Sequence, residues 1–111
     1  MRTRIDGPVV MLKPDLAQAV AIALHELATN AAKYGALSVA KGQVRVEWSC
    51  TEEAHLMLRW TEVGGPPLDH PPMRKGFGTS VMESMIRDAV KGRVQFDWRA
   101  EGLTCEMALP T

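Results

Sequence analysis

The sequence predicts an α+β fold, a two-layer sandwich in which a mostly antiparallel mixed sheet carries helices on one face. Three observations predict it. Two pairs of segments alternate apolar and polar residues with a period of two, Val44–Trp48 with Leu56–Trp60 and Val94–Arg99 with Leu103–Leu109. Each pair follows a segment whose apolar residues recur at helical spacing. The 111 residues suit a single domain, 1–111, long enough to bury one core without disulfide or metal staples.

The elements can be read in order. Val9–Leu12 is a short apolar run that reads as a first strand, stopped by Lys13-Pro14-Asp15. Asp15 and Gln18 stand at the spacing of a helix capping pair. From Leu16 to Tyr34 the chain is rich in Ala and Leu, with Leu16, Val20, Leu27 and Ala31 on one side of a spiral and Gly35 as its stop. In the first strand pair Val44, Val46 and Trp48 oppose Arg45 and Glu47, and Leu56, Leu58 and Trp60 oppose Met57 and Arg59. Gly64 to Gly78 interrupts the pattern with Gly64, Gly65, Pro66, Pro67, Pro71, Pro72, Gly76 and Gly78, and reads as a long functional loop. A second helix opens on the capping pattern Ser80…Glu83, turns Val81, Met82, Met85, Ile86 and Val90 inward, and ends at Gly92. In the last pair Val94, Phe96 and Trp98 alternate with Gln95, Asp97 and Arg99, and Leu103, Cys105, Met107 and Leu109 with Thr104, Glu106 and Ala108.

Composition narrows the function classes. Lys plus Arg equals Asp plus Glu, 13 of each, so no general electrostatic pull toward nucleic acid or an anionic membrane is expected. No apolar run reaches the roughly 18 residues of a membrane span, and the N-terminus lacks the apolar stretch of a signal peptide. Cys50 and Cys105 have neither a disulfide framework nor metal-ligand spacing; they read as packing thiols in a reducing cytoplasm.

Three places carry candidate chemistry. On the first helix Glu26, Asn30 and Lys33 stand at i, i+4 and i+7, within an arc of roughly 60°. That ridge offers a carboxylate to orient a reacting group, an amide oxygen for a hard cation and an ammonium for phosphate. A solvated face with a Glu–Lys pair has the same spacing. His25-Glu26 is not a zinc motif, because the second His of H-E-x-x-H would fall at Thr29. Glu62 continues the parity of Leu56, Leu58 and Trp60, which turns a carboxylate toward the apolar side. Either the strand ends there and the side chain reaches water, or it receives a donor from a ligand. Trp60 itself reads as core. Gly64-Gly65 then removes side chains where a planar ligand could approach the backbone. Gly76-Phe77-Gly78-Thr79, ahead of the second helix, exposes backbone N–H groups at a helix N-terminus and forms a possible phosphate cradle without the ending of a P-loop.

Together and in this order, these pieces resemble the HWE sensor histidine kinases of the GHKL ATPase superfamily. The run from His25 to Ser38 (HELATNAAKYGALS) resembles their N box, Trp60 to Pro66 (WTEVGGP) their G1 box, and Gly76-Phe77-Gly78-Thr79 their G2 box. His25, Trp60 and Glu62 match the three letters of the family name. The resemblance implies a Bergerat-type nucleotide fold and two cofactors, ATP and Mg²⁺. Asn30 would bind the Mg²⁺ that bridges the phosphates, Glu26 would polarise the attacking group, and His25 would orient Glu26 or only pack. Lys33 would contact phosphate and Tyr34 would pack near the nucleotide. Glu62 would accept a hydrogen bond from the adenine amino group, where most histidine kinases have Asp. Gly64 and Gly65 would admit the purine, the loop from Pro66 to Lys75 would be the ATP lid, and Gly76, Phe77, Gly78 and Thr79 would hold phosphate.

The implied activity is that of a bacterial two-component protein-histidine kinase, cytoplasmic. Its partners would be a phosphoacceptor histidine domain of the same or a partner chain, and a response regulator. The phosphoacceptor hairpin that precedes this module in the family is not among the 111 residues, and neither is a separate F box, which this family usually lacks. His55, expected in a turn, and His70, expected in the lid, do not replace the acceptor. An anti-sigma-type serine kinase, or a nucleotide-holding module without catalysis, would share the fold. The His-Trp-Glu signature speaks against the former, and Glu26, Asn30 and Lys33 against the latter.

Overall fold

The computed structural model describes residues 3–51, 55–65, 77–88, 90–99 and 102–110, and for residues 77–81 and 99 the backbone alone. Its elements are β1 (Thr3–Asp6), α1 (Pro14–Lys33), a 3₁₀ turn (Ala36–Ser38), β2 (Gln43–Cys50), β3 (His55–Val63), α2 (Phe77–Asp88), β4 (Arg93–Arg99) and β5 (Gly102–Pro110). One five-stranded sheet has the order β1-β2-β3-β5-β4. β1 runs parallel to β2, and the other neighbouring pairs are antiparallel.

The helices lie on one face, as the alternation requires. From α1 come Leu16, Ala19, Val20, Ala23, Leu27 and Ala31, and from α2 Met82 and Ile86. They meet Val44, Val46, Leu56, Leu58, Trp60, Leu103, Cys105, Met107 and Leu109 of the strands in one buried cluster. The other sheet face exposes Arg45, Glu47 and Arg59, with Arg59 and Glu106 paired across β3 and β5 at 2.8 Å. The wide apolar stripe of α1 is what dictates its burial; the small Ala19, Ala23 and Ala31 let the helix sit close to the strands. Val81, expected on the inner face of α2, lies outside the described side chains, while Met85 and Val90 pack at the edge of the core.

Five local expectations need correction. The first strand is Thr3–Asp6, not Val9–Leu12. Val10 and Leu12 do pack against the core, but with irregular backbone between Pro8 and Pro14, and Trp48 Nε1 donates to the Pro8 carbonyl at 2.7 Å. Val9 and Met11 are exposed, 97% and 91%, so the apolar run marks neither a strand nor continuous burial. The helix starts on Pro14 with Lys13 at the N-cap and no side-chain cap; Asp15 accepts from its neighbour Leu16 N–H. Proline has its φ preset for the first helical position and no N–H to satisfy, so the start moves ahead of the Asp15–Gln18 pair.

Likewise α2 begins at Phe77, so Ser80 lies inside the helix. The Ser…Glu spacing marks where a helix can begin, and it recurs inside any amphipathic helix. His55 opens β3 rather than sitting in a turn. Of the two thiols, Cys105 is buried and Cys50 is exposed. Burial, aided by the charges of Glu83, Glu106 and Glu62, pushes the Cys105 thiol up to about 12.

Candidate active site

The site grows from the C-terminal end of α1. Ala23, Leu27 and Ala31 face the core, which turns the ridge of Glu26, Asn30 and Lys33 away from it. Glu26 and Asn30 are half-buried; His25, Lys33 and Tyr34 are exposed. The spacing foreseen for the ridge is therefore realised on one continuous helix. The Asn30 carbonyl closes that helix, accepting from Tyr34 N–H at 2.8 Å and Gly35 N–H at 3.1 Å. Gly35 does not adopt the left-handed conformation of a usual helix stop, since its φ is −112°. Its lack of a side chain has a different cause: a Cβ there would collide with Oε1 of Glu62.

Glu62 is the one buried polar or charged residue among those described, 5% exposed near the end of β3. Neither sequence alternative describes what surrounds it. The strand continues through Val63, and the carboxylate is met by donors from the protein itself. Oε1 accepts from Ala36 N–H at 2.9 Å, and Oε2 accepts from Trp60 Nε1–H at 2.9 Å. Each oxygen can accept a second bond. Sequence reasoning missed both partners. The signal for Trp60 was present, because residues two apart on a strand share a face. The signal for Ala36 was not, because nothing local relates it to a residue 26 positions away.

The glycines after Glu62 have a packing cause as well. Gly64 has φ +73°, a left-handed backbone that favours glycine, and a Cβ there would press on the Lys41 carbonyl at 2.9 Å. Gly65 lies against Ala36, whose Cα would be 2.8 Å from an added Cβ. Gly65 ties the end of β3 to the turn after α1, and Gly64 ties it to the approach to β2. Farther along, Phe77, Gly78 and Thr79 form the first turn of α2, which has no acidic residue to repel an anion. Gly76 and the loop from Pro66 to Lys75 lie outside the described residues. No cluster of three or more His, Cys, Asp or Glu among the described residues could hold a metal by itself. A cation at Asn30 would take its other ligands from water and phosphate, which is the habit of Mg²⁺.

The structure therefore joins the Lys33 end of the ridge, an inward carboxylate and close-packed glycine backbone at one corner. No family model matches the chain. It is 38% identical over 113 residues to a blue-light-activated histidine kinase of Rhizobium johnstonii, covering 99% of this chain and 32% of that protein. It superimposes on the histidine kinase domain of the Erythrobacter litoralis EL346 blue-light activated histidine kinase with a TM-score of 0.82 at 17% identity, over 98% of this chain and 51% of that one. Its relatives are histidine kinases, and its fold is that of their catalytic domain. The same fold is present in histidine kinase ThkA solved in complex with response regulator protein TrrA (TM-score 0.70, 17% identity, 97% of this chain and 33% of that one). This histidine kinase relative spans about a third of the length of the curated protein it matches, 32%. No described helix is long and apolar enough to cross a membrane.

Proposed function

We propose that residues 1–111 form the ATP-binding catalytic domain of a bacterial two-component sensor histidine kinase of the HWE type, working in the cytoplasm. It would bind Mg-ATP and donate the γ-phosphate to a histidine on a separate phosphoacceptor domain, of the same or a partner chain, from which a response regulator is served. The observation that carries the reading is Glu62: a buried carboxylate with spare acceptor capacity, flanked by glycines, at the end of a helix bearing Glu26, Asn30 and Lys33.

The roles follow from chemistry. Glu62 accepts from the adenine amino group, with the side-chain-free backbone of Gly64 and Gly65 alongside. The Asn30 amide oxygen supplies one hard ligand to Mg²⁺, which neutralises phosphate charge when bound. Lys33, with the N–H groups of Phe77, Gly78 and Thr79 and of Gly76 ahead of them, holds phosphate. Glu26 orients the incoming imidazole, with exposed His25 beside it. Tyr34, 73% exposed, is free to lie over the nucleotide. In the transfer a bond forms from the imidazole nitrogen to the γ-phosphorus as the bridging oxygen leaves with ADP; such transfers depend mostly on positioning and charge stabilisation.

Calorimetry with Mg-ATP tests the reading, and absence of binding overturns it. Glu62→Ala should weaken ATP binding by about 1.5–3 kcal/mol, the value of a hydrogen bond to a charged group, or roughly ten- to a hundredfold. The loss should be much smaller for a nucleotide without the 6-amino group, and equal loss for both would remove Glu62 from base recognition.

A further inference from the structure

We infer that Trp60 is a positioning residue for base recognition, holding the Glu62 carboxylate in its accepting orientation through the indole N–H. The role rests on the reading of Glu62 as the acceptor for the adenine amino group. Trp60 is 4% exposed, so its ring is fixed by the core and its N–H has little access to water. That N–H donates to Glu62 Oε2 at 2.9 Å. A buried indole N–H requires an acceptor, and here the acceptor is two residues along the same face of β3.

Glutamate has one more rotatable bond than aspartate, and a free carboxylate at the end of a strand would sample several rotamers. Two donors from different directions remove that freedom. Ala36 N–H holds Oε1, Trp60 holds Oε2, and the bare Cα of Gly35 leaves room for the first of these contacts. The carboxylate plane is therefore set before a ligand arrives, and a ligand donor meets an acceptor already ordered. The contrast with Trp48 supports a specific use of the indole: the Trp48 N–H is spent on the Pro8 carbonyl, a contact that only fastens the N-terminal segment.

The test uses Trp60→Phe, which keeps an apolar ring and removes the donor. Calorimetry compares Mg-ATP with the Mg complex of purine riboside triphosphate, which lacks the 6-amino group. The variant should lose about five- to tenfold in affinity for ATP and less than about twofold for the analogue. Equal losses for the two nucleotides mean that Trp60 is only packing, and no loss for either means the bond does not position Glu62; both overturn the role. Wild-type protein that binds neither nucleotide overturns the underlying reading instead, which separates the two failures.

A second measurement does not depend on the variant folding. In ¹⁵N-labelled wild-type protein, with its 3 tryptophans, the Trp60 indole N–H resonance should shift more on addition of ATP than of the analogue. An unchanged Trp60 resonance with ATP overturns the role.

Discussion

Leu58 and Glu62 occupy equivalent inward positions on β3 and are equally buried, 5% exposed each. Leu58 faces apolar side chains of the core, where its burial is favourable at roughly 25 cal/mol per Å² of apolar surface. Glu62 faces Ala36 N–H and Trp60 Nε1–H, where burial is tolerable only because both oxygens are partnered. Strand parity decides which residue goes inside, and it is indifferent to what that residue is. The half of β3 nearer His55 holds the fold together; the half nearer Val63 supports a polar corner at a cost that a function would justify.

Three substitutions probe that contrast. The largest effect is expected at Leu58. Leu58→Ala should lower the unfolding free energy by about 2–5 kcal/mol in a denaturant titration, while the folded fraction keeps wild-type selectivity between ATP and purine riboside triphosphate. A change of selectivity would mean that the two halves of the strand are not separate. Gly35→Ala probes the polar corner from the other side. Its Cβ would meet Glu62 Oε1, so a stability loss of about 1–3 kcal/mol is expected, together with weaker ATP binding by calorimetry. Unaltered ATP affinity would show that the corner rearranges without loss. The smallest effect belongs to the opposite face of the same strand. Arg59→Ala removes an ion pair whose side chains are 56% and 44% exposed, and thermal or chemical melts should shift by no more than about 1 kcal/mol.

Much of this architecture was legible in the residues. The alternation of β2, β3, β4 and β5 gave the inner and outer faces of the sheet, and the apolar spacing of α1 gave its buried side, because in both cases burial follows directly from backbone period. Glu62 was legible as an inward carboxylate for the same reason. Its partners were less so. Trp60 could have been found by parity, but reading Trp60 as core hid the donor on its ring. The Ala36 N–H depends on how the chain returns from α1 to the sheet, which no local pattern encodes. The first strand was misread because β1 is an exposed edge held by backbone pairing, so it has no hydrophobic signature. The glycines at 35, 64 and 65 were read as a helix stop and as room for a ligand. In the structure each also stands where another segment's atoms come close, a cause that only tertiary packing reveals.

That edge strand has a mechanical consequence. β1 contributes four residues, all exposed, to a parallel ladder with β2, and the next fastening along the chain is the Pro8 carbonyl on Trp48. α1, by contrast, is rooted in the core by six buried side chains. A pull on the N-terminal end would therefore meet the edge ladder, the Pro8–Trp48 bond and the packing of Val10 and Leu12 in series before any load reached the helix that carries Asn30 and Lys33. Tension entering from that side would peel the edge of the sheet first, and only β2 separates that edge from Glu62, through the register Thr3–Val44–Glu62.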